Sequence, residues 1–500
     1  MADTKREIER KYEATDDNQL PDLTRVPGVS AVIDKGVAEL DATYYDTPDQ
    51  RLAAGALTLR RRTGGDDAGW HLKFPVAPDV RDEIRAPLSD TVPRALAALA
   101  RSRTRDAELV PVVRLLSSRD VRHLTADDGA LVAELSIDAV RAERLAGGPG
   151  ESHWTEIEVE LADDVDPAVL DAVEKRLRKA GIRRSHSASK LARALAETAP
   201  SVPAPRREVD PGTAGAHVLA YLRAQVDAIV AYDPAVRREL PDSVHQLRVA
   251  TRRLRSAFRT YGKILDRTVT DPVGEELKWL AAELGVDRDQ EVLTERLTSR
   301  INALPRTLLL GPVRGRLRIW TVARRTGSRR HTLAVLDGHR YLALLETLDA
   351  LLAAPPLLPR AAQPAAQVLP RSVLKDHTRL ATRIEHALAL PPGEERDLAM
   401  HEARKAAKRA RYAGEAATPA LGTPAQRFAK RMKAVQTVLG DHQDSVVARE
   451  ALRTLAAQAH AAGETAFTWG LLYGHEEASA ADRERELPKV WARAAGAPAF

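Results

Sequence analysis

Glu7-Ile8-Glu9-Arg10-Lys11 decides how the first part of this chain folds. Successive side chains on a strand point to opposite faces, so Glu7, Glu9 and Lys11 share one face and Ile8 and Arg10 share the other. Two carboxylates and an ammonium turned toward an interior are costly unless they are paired or meet a ligand. The pattern recurs downstream. Glu156, Glu158 and Glu160 alternate with Ile157, Val159 and Leu161, Glu134 and Asp138 share a phase, and so do Arg60 and Arg62. One face of the predicted sheet is therefore acidic on some strands and basic on others.

A solvated outer face is the competing explanation for any single charged strand. Four strands with segregated signs fit a closed barrel better. Carboxylate oxygens are the hard ligands that Mg²⁺ and Mn²⁺ prefer. Guanidinium and ammonium groups clamp phosphate oxygens. A barrel holding both sets would take a metal–polyphosphate complex.

The chain has 500 residues, with 44% hydrophobic and 29% charged, enough for two or three cores. Thr198–Arg207 is rich in proline and reads as a linker. Before it, short alternating runs and two helical stretches, near 92–101 and 167–180, predict an α+β domain with mainly antiparallel strands over 3–197. After a linker set at 198–212, Ala, Leu and Arg at helical spacing predict an all-α domain over 213–495.

The helical region repeats. His245-Gln-Leu-Arg-Val-Ala-Thr-Arg-Arg-Leu-Arg255 returns as His401-Glu-Ala-Arg-Lys-Ala-Ala-Lys-Arg-Ala-Arg411, and Leu284-Gly-Val-Asp-Arg-Asp289 returns as Leu439-Gly-Asp-His-Gln-Asp444. The offsets are 156 and 155, which imply a duplicated unit with halves at about 213–353 and 371–495. The Pro-rich stretch 355–370 falls between the copies as a connector.

Charge divides with the domains. Residues 1–200 hold 30 Lys+Arg and 36 Asp+Glu, whereas 201–500 hold 46 and 34, so a net of −6 is joined to a net of +12. The basic half should attract an anion. On one helix His245, Arg248, Arg252, Arg255 and Arg259 form a stripe; His401, Arg404, Lys408 and Arg411 repeat its phase, with Lys405 alongside. Lys278 and Lys433 also correspond. A solvated charged face is the alternative, but the phase survives in both copies. His442 stands where the first copy has Asp287, and a metal reading of the histidines finds no second histidine four residues away from His245 or His401. Nucleic acid is disfavoured, because the stripe lacks interleaved aromatics and groove-reading motifs.

Cysteine is absent, the longest apolar runs are far shorter than a membrane span, and the N-terminus carries no apolar signal stretch. A cytoplasmic protein without a membrane partner is expected.

The N-terminal residues resemble the CYTH domains, or triphosphate tunnel metalloenzymes. Glu7-Ile-Glu-Arg-Lys11 matches the ExExK signature, and Tyr44–Asp49, Leu57–Arg62, Trp70–Lys73, Arg81–Glu83, Arg114, Arg119, the Glu134/Asp138 and Glu156 strands and Ser189-Lys190 follow in family order. The resemblance implies an eight-stranded antiparallel tunnel. Glu7, Glu9, Asp138, Glu156 and Glu158 would hold Mg²⁺ or Mn²⁺. Lys11, Arg60, Arg62, Lys73, Arg114, Arg119 and Lys190 would line the tunnel against a triphosphate. Glu7, Glu9 and Lys11 are the expected catalytic set, and the complete acidic signature implies an active enzyme.

Residues 213–495 resemble the CHAD domain, the conserved histidine α-helical domain. That resemblance implies two four-helix bundles related by a pseudo-twofold, with the basic stripes and Lys278 and Lys433 binding inorganic polyphosphate. Gln443 replaces the arginine usual before Asp444. The combined expectation is hydrolysis of inorganic triphosphate joined to polyphosphate binding. A non-catalytic protein of polyphosphate granules, or an enzyme of thiamine triphosphate or ATP, are the alternatives; few aromatics (Tyr44, Tyr45, Trp70, Phe74) lie near the tunnel residues, which favours tripolyphosphate.

Overall fold

The computed structural model describes residues 3–14, 20–198, 210–496 and 500; the side chains of 286–289 and 323–328 lie outside that description. Most of the expected linker therefore falls outside the described residues. The chain divides into Met1–Pro205 and Arg206–Phe500.

In the first unit, β1 (Asp3–Ala14), β2 (Ala31–Asp46), β3 (Thr58–Thr63), β4 (Gly69–Ala77), β5 (Val80–Ala86), β6 (Val110–Thr125), β7 (Leu131–Arg144) and β8 (Glu151–Leu161) form an antiparallel sheet. Its order is β5-β4-β3-β2-β6-β7-β8-β1, and pairing of β5 with β1 closes it into a barrel. The two-residue β9 (Arg183–Arg184) adds outside β1. The expected eight-stranded barrel is what the chain forms.

Its polarity is inverted relative to a soluble sheet with a dry core. Charged residues face inward, and the apolar faces point outward, where helices cover them. α1 (Arg51–Ala54) and α2 (Arg94–Thr104) cover β3–β5 through Leu52, Leu59, Leu72, Ile84 and Leu96. α3 (Ala168–Lys179) covers β1, β7 and β8 through Leu170, Val173 and Leu177. α4 (Lys190–Thr198) is the exception: Leu191 and Ala194 pack against Val113, Val140 and Trp154, which share the inward phase of Arg119, Asp138 and Glu156. Burying a Leu or Val side chain stabilises by roughly 1.5–3 kcal/mol. The outer clusters therefore offset the cost of a charged interior.

The second unit has ten α-helices among the described residues: α5 (Ala214–Arg237), α6 (Ser243–Thr260), α7 (Arg267–Glu283), α8 (Gly285–Ala303), α9 (Val313–Asp337), α10 (His339–Ala353), α11 (Ala365–Ala389), α12 (Glu394–Leu421), α13 (Thr423–Ala461) and α14 (Phe467–Ala494). The repeat offset pairs α5 with α11, α6 with α12, α7 and α8 together with α13, and α9 with α14. The first copy thus breaks one helix at Leu284-Gly285 and adds α10. The Leu439–Asp444 segment is continuous helix within α13. The inter-copy connector is shorter than its prolines suggest, since Pro370 sits inside α11.

The apolar cores do not follow the two halves. One unites α5, α6, α7 and α10 with α11, α12 and the first part of α13. The other joins α8 and α9 to the second part of α13 and the start of α14. Each copy completes its core with the other.

Candidate functional site

Strand register places the signature. Glu9 pairs with Glu160, Lys11 with Glu158, Glu7 with Arg81, and Asp138 with both Glu156 and Arg119. Inward residues of the barrel strands, with Lys190 at the start of α4, line a cavity of about 700 Å³, among them Glu7, Glu9, Lys11, Arg60, Arg62, Lys73, Arg119 and Glu158.

The interior is a lattice of ion pairs. Lys73 Nζ lies 2.6 Å from Glu7, Lys11 bonds Glu158 and sits 3.2 Å from Glu9, and Arg119 Nη2 is 3.0 Å from Glu158. Arg119 donates to both Asp138 oxygens at 2.7 and 2.8 Å. Burial raises the Glu7 carboxyl to about 7, against the pull of Lys73. Burial would raise Glu9 too, yet Lys11 and Lys73 hold it down to about 2. Arg62 drops to about 9, because it is buried beside Arg60 and Arg119. The Nε atoms of Arg60 and Arg62 are buried without a hydrogen-bond partner. Both guanidiniums border the cavity, where cations of this kind suit an anion.

Glu83 was absent from the sequence-derived site set, and the barrel makes it a hub. It is fully buried, 2.9 Å from His71 Nδ1, 3.4 Å from Lys73 and 3.8 Å from Arg60, and it also bonds Arg85. Burial favours its neutral form, but His71, Lys73 and Arg60 hold its carboxyl well below the usual range. The phase of Arg81-Asp-Glu83 was the available signal.

Arg114 departs from the expected tunnel lining. It lies five residues from Arg119 on a strand whose register is unbroken between them, so the two point to opposite faces. Arg114 instead pairs with Asp41 at 2.6 Å and is 43% exposed.

In the helical unit the stripes of α6 and α12 come together. Glu415 of α12 accepts from Arg253 of α6 at 2.8 Å and pairs with Arg411 at 2.9 Å. Arg248 Nη1 donates to Gly285 O at the α7–α8 break. His401 Nδ1 donates to Gln443 Oε1 at 2.6 Å, and Arg404 lies 3.5 Å from Asp444. Gln443 thus fixes the stripe histidine where the family pattern has an arginine. Lys408 is pulled down to about 7 by burial and by Arg404, Arg252 and Arg248, with Asp444 opposing. Burial and Arg259 also lower Arg255. His245 and Arg252 are half-buried on the same face. Arg259 and Lys278 approach Glu275 at 3.7 and 3.0 Å, Lys405 pairs with Glu402 at 2.6 Å, and Lys433 is exposed.

The sequence matches the CYTH domain over residues 5–195 and the CHAD domain over residues 220–453. An uncharacterized protein of Mycobacterium tuberculosis, found in two strains, is 38% identical over 498 residues, covering 96% of this chain and 94% of that protein. The chain belongs to the CYTH–CHAD family. Among solved structures, PptA from Streptomyces chartreusis is similar at 22% identity and a TM-score of 0.48, covering 56% of this chain and 99% of that one. The CHAD domain from the plant Ricinus communis is similar at 25% identity and a TM-score of 0.46, covering 60% and 99%.

CYTH enzymes act on triphosphates with divalent metal, so the donor set of this CYTH domain must suit a cation. Asp138, Glu156 and Glu158 each present an oxygen within 4.8 Å of the others. Lys190 Nζ, 2.9, 2.7 and 2.7 Å from the three, already sits among them as a cation. These hard oxygens fit a hard divalent cation. Glu7 and Glu9 line the cavity, whereas Asp138 and Glu156 lie beneath Lys190. Among the described residues, no helix is long and apolar enough to cross a membrane.

Proposed function

We propose that the CYTH tunnel hydrolyses inorganic triphosphate with Mg²⁺ or Mn²⁺, and that the CHAD domain binds inorganic polyphosphate. The observation that carries the first part is the cavity wall. Charged side chains make up most of its lining, with Leu40, Val121 and Leu161 among the apolar remainder and Tyr44 and His123 as its aromatic rings, and the Tyr44 hydroxyl is engaged by Arg60 at 3.4 Å. A nucleobase or thiazolium ring would find little face to stack on.

Glu7, Glu9, Asp138, Glu156 and Glu158 are the residues proposed to hold metal, which when bound supplies Lewis-acid polarisation of phosphoryl oxygens. Lys11, Arg60, Arg62, Lys73, Arg119 and Lys190 would hold the phosphate chain and its developing charge. Arg114 is left out of this set. Water would add to the terminal phosphorus, the P–O bond to the bridging oxygen would break, and orthophosphate and pyrophosphate would leave. Because the Glu7 carboxyl is held up at about 7 without metal, metal binding there would release a proton near neutral pH.

Polyphosphate binding is supported by the convergence of Arg248, Arg252, Arg404 and Lys408 from two helices near Asp444. His245, Arg255, Arg259, Lys278, His401, Lys405, Arg411 and Lys433 would extend the track. Phosphate release from tripolyphosphate, with filter binding of long-chain polyphosphate to the same protein, tests both parts. No turnover with any divalent metal would sink the first, and no binding at low salt the second.

A further inference from the structure

His442 is a motif residue that the phosphate-binding stripe leaves unused. It is fully buried in the middle of α13, and neither ring nitrogen makes a hydrogen bond of ordinary geometry. Its Nε2 is turned to two carboxylates from other helices: Asp397 Oδ1 of α12 at 3.3 Å and Glu484 Oε1 of α14 at 3.4 Å. The three donor atoms lie within 4.8 Å of one another.

Two features set this apart from a chance cluster. The far oxygens of both acids are already held, Asp397 Oδ2 by Arg449 at 2.7 Å and Glu484 Oε2 by Arg396 at 2.6 Å. The near oxygens are thereby aimed at the ring, as outer partners aim metal ligands. The nitrogen–oxygen separations are also long for hydrogen bonds, which favour about 2.7–3.2 Å. They match the edge of a tetrahedron with bonds of about 2.0–2.1 Å, the distance zinc keeps to imidazole and carboxylate.

We propose that Asp397, His442 and Glu484 bind one divalent transition-metal ion of the zinc class, tying α12, α13 and α14 together. The imidazole distinguishes this set from the all-oxygen tunnel set, which suits a harder ion. Asp397 and Glu484 keep 20% and 15% side-chain exposure, which leaves solvent a path to a fourth coordination position. Its histidine belongs to the second repeat, since the first has Asp287 in place of His442. The competing state is a buried histidine bridging two acids without an ion.

Chelator-stripped full-length protein, loaded with Zn²⁺ and desalted, tests the site. Wild type is expected to retain about one zinc more per chain than His442→Gln or Glu484→Gln, with both variants checked for helicity by circular dichroism. Zinc should also raise the wild-type Tm, and that rise should be lost in both variants while Mg²⁺-dependent tripolyphosphate turnover is kept. Equal zinc content and equal Tm response in wild type and folded variants would overturn the proposal. Should both variants fail to fold, zinc-edge X-ray absorption of the Glu7→Gln/Glu9→Gln protein decides: an imidazole in the zinc shell supports the site, and an oxygen-only shell contradicts it.

Discussion

The tunnel and the basic stripes carry the same cationic groups in opposite electrostatic settings. In the barrel each clamp residue has a carboxylate close by: Lys73 has Glu7, Lys11 has Glu158, Arg119 has Asp138, and Lys190 has three acids. At the helical groove several cations also have acid partners, such as Arg404 with Asp444 and Arg411 with Glu415, but burial together with neighbouring cations pulls Lys408 down to about 7 and lowers Arg255. An anion entering the tunnel must compete with internal carboxylates unless a divalent ion takes up their charge. An anion reaching the stripes relieves repulsion already present. Phosphate capture should therefore depend on metal in the tunnel and not at the helices.

The sharpest way to break this contrast is to remove one tunnel acid. Glu9→Ala should lower tripolyphosphate turnover by about 10³-fold, the scale for losing one group that stabilises the transition state, while polyphosphate retention by the full chain stays unchanged. Parallel loss of both would mean that the two sites are not separate.

Next in size is the buried cation. Lys190→Met leaves Asp138, Glu156 and Glu158 together without their shared ammonium. Breaking such a pairing costs about 3–5 kcal/mol, which thermal unfolding would report. Added Mn²⁺ should recover more Tm in this variant than in wild type. A neutral substitution without metal rescue would show that the triad does not hold a cation.

At the stripes the expected effects are smaller and depend on salt. Arg404→Ala should weaken polyphosphate binding by about tenfold and lower the slope of log K against log salt by about one. Its folding stability should change by less than about 1 kcal/mol, because its contact with Asp444 is long, at 3.5 Å, and only part-buried. A large Tm loss would instead make Arg404 structural.

The smallest effect is a proton. Lys408 loses its charge in the free protein as pH rises through about 7, and a bound polyanion would restore it. Polyphosphate affinity should then fall with rising pH above 7, by at most about tenfold per unit for one linked proton. Lys408→Arg should flatten the profile, and an unchanged profile would remove Lys408 from the groove.

Much of this was legible in the sequence, because strand phase and repeat offset are local quantities. The Glu7, Glu9 and Lys11 phase gave the inward face, and the paired offsets gave the duplication. Arg114 was misplaced because its face follows from its odd spacing to Arg119, which a family-order match ignores. Glu83 became visible as a hub only when β5 closed on β1 and β4. The crossing of the cores between the two helical halves has no local signature. His442 likewise finds its acid neighbours on α12 and α14, beyond the four-residue spacing that a helix motif would display.

Steady-state kcat/KM for tripolyphosphate, thiamine triphosphate and ATP, with Mg²⁺ and with Mn²⁺, tests the central claim most directly. The charged cavity predicts that tripolyphosphate leads by at least about tenfold, near what about 1.4 kcal/mol of selectivity delivers, and that Glu7→Ala and Glu9→Ala each cut turnover by about 10³-fold. Equal or greater kcat/KM on ATP or thiamine triphosphate, or no turnover of tripolyphosphate with any divalent metal, would contradict it.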